Sequence, residues 1–526
     1  MSSSTSYIAK LAPELLAAVV VHLSNRDIKS LRLTCRILSE NTRLRLDRVF
    51  LSAHPRNIEV ARAIADHETL RREVVELIWD DARFVHDIPR PNEEFLLQMG
   101  SSTPPRDEGD PPRWFARAYR ENSESLQHRK YRFKRRNPDL SLSESWNYYE
   151  KLLELQEEVL SSAADADALS YALERFPSLR RIVITPGAHG RLDEPLYKTP
   201  AIKSFPRGFN YPIPHSWPIH DHAVGPYEVP PWTDETAKKQ WRGFPIVVNE
   251  LAKQKGHNVS EIVIDAKGLQ TGLSCRVFDH PCEEYDNLVG LLRRPGFSRI
   301  DLALLADGQY YHDDWSSFRS GYLKQALGAA PDLLRVRLRV QADYDQVYPE
   351  FDKHCIPLRT IFPVDRWQKL QHFGLSNFIV KQPDLLSLLA ALPTTLQSVE
   401  LSFLKFVLNS GSYRDTLVDI RDTLGWRDRA ANERPRVIIH VYESLLMSSE
   451  PRKYMCVDEQ ANRFLYDDGA NPFNNRFGGN KPTHGIGVEE FLHEFRDENY
   501  ENCRPYRRVT ALKGSRAKAK NKLEGR

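Results

Sequence analysis

Apolar residues recur at helical spacing across the first forty positions. Leu15, Leu16, Val19, Val20 and Leu23 share one face, and Ile28, Leu31, Leu33, Cys35 and Leu38 continue the pattern. Pro13 and Glu14 suit a first helical turn, where a fixed φ is preorganised and the helix dipole favours an acid. Ser24 and Asn25 break the run, and Asp27 is placed to cap a second helix near Ile28. Helices this short are marginal without a packing partner. A unit of roughly forty residues is also too small to bury so much apolar surface alone. The pattern predicts two or three short helices whose remaining apolar face is covered by the rest of the chain or by another protein.

Farther along, residues 57–81 read as a helix followed by the strand Val74–Trp79. Pro89 to Pro112 is rich in Pro, Gly, Ser and Asp and reads as an exposed loop. Trp114 to Arg136 reads as a basic helical stretch, and Trp146 to Leu173 as one long amphipathic helix. A unit then recurs: an apolar helix, a Pro, and a short strand of the form Leu-x-x-Leu-x-Leu. Clear copies run Leu173–Ile184, Leu327–Leu338 and Leu389–Leu401, with partial copies at Val259–Ile264, Phe297–Leu302 and Leu370–Leu375. Each unit has one apolar face that stacking neighbours would bury, and helical crossovers require parallel strands. Spacings of roughly 27–40 residues exceed the about 20–29 of a regular leucine-rich repeat. The predicted body is therefore an α/β solenoid of irregular leucine-rich-like repeats, with an ordinary α/β domain as the alternative.

The resulting division is 7–50 for the N-terminal helices and 51–145 for a linking helical region with an exposed loop. Residues 146–445 form the repeat body, interrupted by a Pro-, Tyr-, Trp- and His-dense loop at 186–241; 446–512 form a C-terminal cap and 513–526 a basic disordered tail. Arg436–Val441 reads as one strand within the body.

Composition adds limits more than direction. With 41% hydrophobic residues, 28% charged and a net charge of +3 over 526 residues, neither nucleic acid nor a membrane is expected as a partner. The longest apolar run, Leu15–Val21, is far below the about 20 residues of a membrane span. Six cysteines (Cys35, Cys275, Cys282, Cys355, Cys456, Cys503) lack a CxxC, and no leader pattern is read, so reduced thiols in the cytoplasm or nucleus are expected. The basic clusters Arg129–Lys130, Lys134–Arg136 and Lys513–Lys522 read as solvated charge, or alternatively as nuclear-import signals. His215, His220, Asp221 and His222 lack zinc spacing, and Asp467–Asp468–Gly469 lacks the remaining ligands of a calcium loop. No nucleophile elbow, phosphate-binding loop or dinucleotide fingerprint is present. No catalytic residue, metal or cofactor is expected.

The segment from Leu11 to Arg36 resembles an F-box. Glu14, Leu15, Leu16, Val19, Leu23, Asp27, Ile28, Leu31, Cys35 and Arg36 fall on the family's positions, while Ala12 stands where its proline usually does and Pro13 comes one later. Val49–Ser52, Leu70–Asp81, Leu424–Arg429 and Phe464–Phe473 are similar to filamentous-fungal F-box proteins. The resemblance implies a substrate receptor of an SCF-type, cullin-RING ubiquitin ligase. Leu11, Pro13, Leu15, Leu16, Val19, Leu23, Ile28, Leu31 and Cys35 would bind a Skp-family adaptor and, through it, a cullin. The repeat body would hold an unidentified target, with Tyr211, Trp217, Tyr227 and Trp232 as anchors unless they pin the loop to the body. The alternative from the same resemblance is a scaffold that binds the adaptor without promoting ubiquitination.

Overall fold

The computed structural model of the chain describes residues 7–23, 25–44, 46–86, 111–130, 140–192, 194–214, 216–218, 228–267, 269–309, 315–341, 355–442, 453–473, 478–483, 485–489 and 507–509. The fold is mixed α/β around a large parallel sheet. Three short helices come first: α1 (Pro13–Val20), α2 (Asn25–Arg32) and α3 (Arg36–Asn41). The sheet follows, with β1 (Arg48–Ser52), β2 (Glu76–Asp80), β3 (Arg181–Thr185), β4 (Glu261–Ile264), β5 (Leu273–Ser274), β6 (Arg299–Leu305), β7 (Arg335–Gln341), β8 (His372–Ser376), β10 (Ser398–Ser402) and β12 (Arg436–Ile438). Two short strands, β9 (Ile379–Val380) and β11 (Lys405–Phe406), pair beside it. The main strands lie in chain order, β1-β2-β3-β4-β6-β7-β8-β10-β12, all parallel, with β5 paired to the end of β6.

Period-two alternation is clearest in β7, whereas across β2 to β4 the face opposite the helices is buried too, where Ile78, Val183 and Val263 close a second apolar cluster with Phe50 and Tyr197. In β7, Val336, Leu338 and Val340 alternate with Arg335, Arg337 and Arg339. The register carries each position across the sheet. One row runs Val49–Leu77–Ile182–Ile262–Ile300–Val336–Phe373–Val399–Val437. With its neighbouring row it packs against helices such as Pro55–Asp66, Ala164–Arg175, Gly243–Lys253, Glu283–Leu292, Gln382–Ala390 and Tyr413–Thr423, through Ala61, Leu169, Val247, Leu288, Leu385 and Leu417.

The strands also begin alike. The N–H groups of Val75 and Glu76 both donate to Asp47 O, those of Arg180 and Arg181 to Val75 O, and those of Ser260 and Glu261 to Arg180 O. The same pairing joins Ser298 and Arg299 to Ser260 O, Leu334 and Arg335 to Ser298 O, Gln371 and His372 to Leu334 O, and Gln397 and Ser398 to Gln371 O. Seven consecutive strand starts thus share one hydrogen-bond arrangement, each resembling a bulge in which two residues face one.

Several expectations change. The region 51–145 is not a linker: β1 and β2 are the first strands of the sheet, so the α/β body begins at Arg48. The single helix over Trp146–Leu173 is two, Leu142–Ser162 and Ala164–Arg175, broken at Ala163 with φ +53. There Ser161 and Ser162 hydroxyls donate back to the Glu157 and Glu158 carbonyls, and the buried Asp165 accepts both guanidinium nitrogens of Arg242. The strand Arg436–Val441 also divides. Ile439 N–H donates to Asp458 Oδ1 instead of continuing the ladder, and β13 (His440–Tyr442) joins β14 (Lys453–Cys456), β15 (Gly485–Glu489) and β16 (Arg507–Val509) in an antiparallel sheet. The cap therefore starts at His440. No helix among the described residues is long and apolar enough to cross a membrane.

Candidate docking surfaces

The three N-terminal helices close a small core of Leu16, Val20, Ile28 and Leu38, with Ile8, Ala9, Leu23, Leu31 and Leu44 partly buried around it. α1 starts with Pro13 at its first position, and Ala12 supplies no side-chain cap. A core of four fully buried side chains leaves much apolar surface outside. Leu15 (58% exposed), Val19, Val21, Leu33 (88%) and Ile37 face solvent, with Tyr7 and Leu11. Among the described residues, every exposed large apolar side chain except Leu408 lies between Tyr7 and Ile37. Scattered apolar residues are ordinary on a protein surface, but their concentration in one small unit is not.

This placement divides the expected adaptor-binding set. Leu11, Pro13, Leu15, Val19 and Cys35 are exposed, and Leu23 and Leu31 are half-buried. Leu16 and Ile28 are core residues at 2% and 0% exposure, so they build the unit rather than its contact face. Leu33 and Ile37, absent from that set, are exposed at the α2–α3 junction. A helical face alone does not say which of two neighbouring stripes points inward; the packing of α1 against Ile28 and Leu38 decides it.

The second surface is the sheet face opposite the helix-covered rows. One of its rows reads Arg48–Glu76–Arg181–Glu261–Arg299–Arg335–His372–Ser398–Arg436. With Asp301 of the next row its side chains form a chain of ion pairs: Arg48 with Glu76, Arg181 with Glu76 (3.4 Å) and Glu261 (2.6 Å), and Arg299 with Glu261 (3.9 Å) and Asp301 (2.6 Å). Arg335 reaches Asp301 at 3.3 Å and Arg337 reaches Glu400 at 3.0 Å. Burial opposes ionisation of Asp301, but Arg335 and Arg299 outweigh it and hold the carboxyl below its usual range. Burial together with Arg335 and Arg299 pushes the His372 imidazole down. Toward β7 the face carries Arg335 and Arg337, both half-buried, while Arg339 is buried and donates to Lys267 O.

The loop at 186–241 is not an exposed recognition arm where it is described. Tyr211 stacks on Phe209 with centroids 4.5 Å apart, and its hydroxyl lies 3.0 Å from His189 Nδ1. Trp217 Nε1 donates to Asp81 Oδ2 at 2.7 Å, and Trp232 Nε1 to Glu284 Oε2 at 3.1 Å. All three aromatics are buried, so they pin the loop to the body and are not surface anchors. Tyr227 lies outside the described residues, as do His215, His220, Asp221 and His222. The side chains of Arg129, Lys130 and Lys134–Arg136, the tail 513–526 and all but the end of the Pro89–Pro112 stretch also lie outside them.

At the seam where this loop meets β2 lie two adjacent buried acids. Asp81 accepts from Trp79 Nε1 (3.3 Å), Trp217 Nε1 (2.7 Å) and Gly243 N–H (3.0 Å), tying strand, loop and helix together. Asp80 accepts from Ala82 N–H at 3.1 Å and lies 3.9 Å from His189 Nε2. Burial pushes the Asp80 carboxyl up to about 8; the Ala82 bond opposes this and the Asp81 charge adds to it. The pair is a structural junction. Compared with protein-family models and with curated proteins, the chain matches none.

Proposed function

We propose that the chain is a substrate-receptor subunit of an SCF-type ubiquitin ligase. Its N-terminal helices form an F-box that docks on a Skp-family adaptor, and its body is a solenoid of irregular leucine-rich-like repeats that holds a target protein. The observation that carries this reading is the confinement of exposed large apolar side chains to residues 7–37, Leu408 aside. The repeat reading is supported by strands in chain order and by the shared hydrogen-bond pattern at their starts. The row of charged side chains at the strand starts, mostly half-buried and with Arg436 exposed, is the target surface we assign to such a body. The role is positioning: a target held near the conjugating enzyme meets it at high effective concentration.

Burying Leu15, Val19 and Leu33 contributes about 1.5–3 kcal/mol each at full burial. The test is co-expression of the Leu15→Asp, Val19→Asp double variant with a Skp-family adaptor. Both positions are exposed, so the unit stays folded while co-purification is lost. Undiminished co-purification overturns the proposal. Ubiquitin transfer to a captured partner separates a receptor from a scaffold that only binds the adaptor.

A further inference from the structure

Where the parallel sheet gives way to the antiparallel one, three side chains of metal-ligating type converge. His440 on β13 and Cys456 on β14 are directly opposed partners. Opposed residues of an antiparallel pair project to the same face with Cβ atoms about 4.5–5.5 Å apart. Asp458 follows two positions after Cys456, in the first turn of the helix Asp458–Tyr466. One ligand atom from each of the three lies within 4.8 Å of the other two, and all three residues are half-buried.

The surroundings hold these groups in orientation. Ile439 N–H donates to Asp458 Oδ1 at 2.9 Å, Arg436 reaches Oδ2 at 3.5 Å, and His440 Nε2 lies 3.9 Å from Oδ1. The His440 backbone is fixed on both sides: its N–H donates to Ser402 Oγ at 3.3 Å and its carbonyl accepts from Phe403 N–H at 2.7 Å. Its ring rests against Tyr454, centroids 5.0 Å apart, and beside Phe403.

We propose that His440, Cys456 and Asp458 bind a divalent ion of the zinc type, with water as a fourth ligand. One nitrogen, one sulfur and one oxygen donor suit zinc, whereas magnesium and calcium take oxygen sets. Tetrahedral bonds of about 2.0–2.3 Å put ligand atoms about 3.3–3.8 Å apart, a closure of about 1 Å that side-chain rotation supplies. Cys456 releases its thiol proton to solvent on coordination. The Ile439 N–H bond plays the usual outer part of keeping a ligating carboxylate aimed. The ion would clamp β13, β14 and the following helix at one point. The site stands apart from the docking proposal.

Full-length protein stripped with a chelator and titrated with Co²⁺, an optical stand-in for Zn²⁺, tests this. One equivalent of cobalt should give the intense near-ultraviolet thiolate-to-cobalt band, and Zn²⁺ should displace it. Cys456→Ser should abolish the band, His440→Gln should weaken binding at least about tenfold, and Cys282→Ser should leave both unchanged. Absence of a thiolate band in the unaltered chain, or its persistence in Cys456→Ser, overturns the proposal whether or not a variant folds well.

Discussion

Replacing Asp80 with Asn removes an ionisable group from a fully buried position while keeping an oxygen for Ala82 N–H. Asp80 is 4% exposed and its folded carboxyl titrates at about 8, against an ordinary value of 3.8. An acid whose folded pKa is raised binds its proton more tightly in the folded state. Its contribution to stability is complete below the unfolded value and is lost as pH climbs through the folded one. Between those values the loss is about 1.4 kcal/mol per pH unit. From pH 5 to 7 the wild type should therefore lose up to about 3 kcal/mol relative to Asp80→Asn. Melting temperatures of both proteins at pH 5, 6 and 7 should diverge, with the variant increasingly the more stable. A constant Tm difference across that range would refute the reasoning, because it would mean that Asp80 is already ionised in the folded state.

At the neighbouring acid, Trp217→Phe removes the 2.7 Å donor to Asp81 and should lower stability by about 1–3 kcal/mol in thermal unfolding. Asp301→Asn leaves Arg299 and Arg335 without their shared carboxylate and should destabilise at neutral pH. Since the Asp301 carboxyl is held below its usual range, its stabilisation exists above the unfolded pKa, and the difference should shrink as pH falls through the folded one. Leu16→Asp puts a charge into the small N-terminal core; proteolysis should cut within residues 7–44 while the Tm of the body holds. Gly243→Ala places a methyl group into the Trp79 indole and should cost about 1–3 kcal/mol, read as a lowered Tm.

What the chain made legible was local. Arg335–Val340 alternates so regularly that the strand and its two faces follow from period two alone, and Pro177, Pro331 and Pro393 mark where helices end before strands. The N-terminal helices were readable for the same reason. Features set by partners far along the chain were not. The break at Ala163 sits beside Asp165, whose partner Arg242 lies 77 positions on, and the buried Trp217 donates to Asp81 136 positions back. Leu15 and Leu16 are both apolar, so only packing against Ile28 and Leu38 separates the outer residue from the inner one. His440, Cys456 and Asp458 meet through a strand register that no spacing rule announces.

A sheet whose strands stand in chain order can be laid down as synthesis proceeds. β1 and β2 can pair before β3 is made, and each later strand then meets a template already in place. Until the next unit arrives, every intermediate carries a bare parallel edge, the kind of surface that invites pairing with another chain. The two long connections, before β3 and before β4, prolong that exposure early, while the later units follow quickly. The first half of the body is thus where a translating chain would most need a chaperone. Past β12 the strand swerves at Ile439 into an antiparallel sheet, which ends the parallel one.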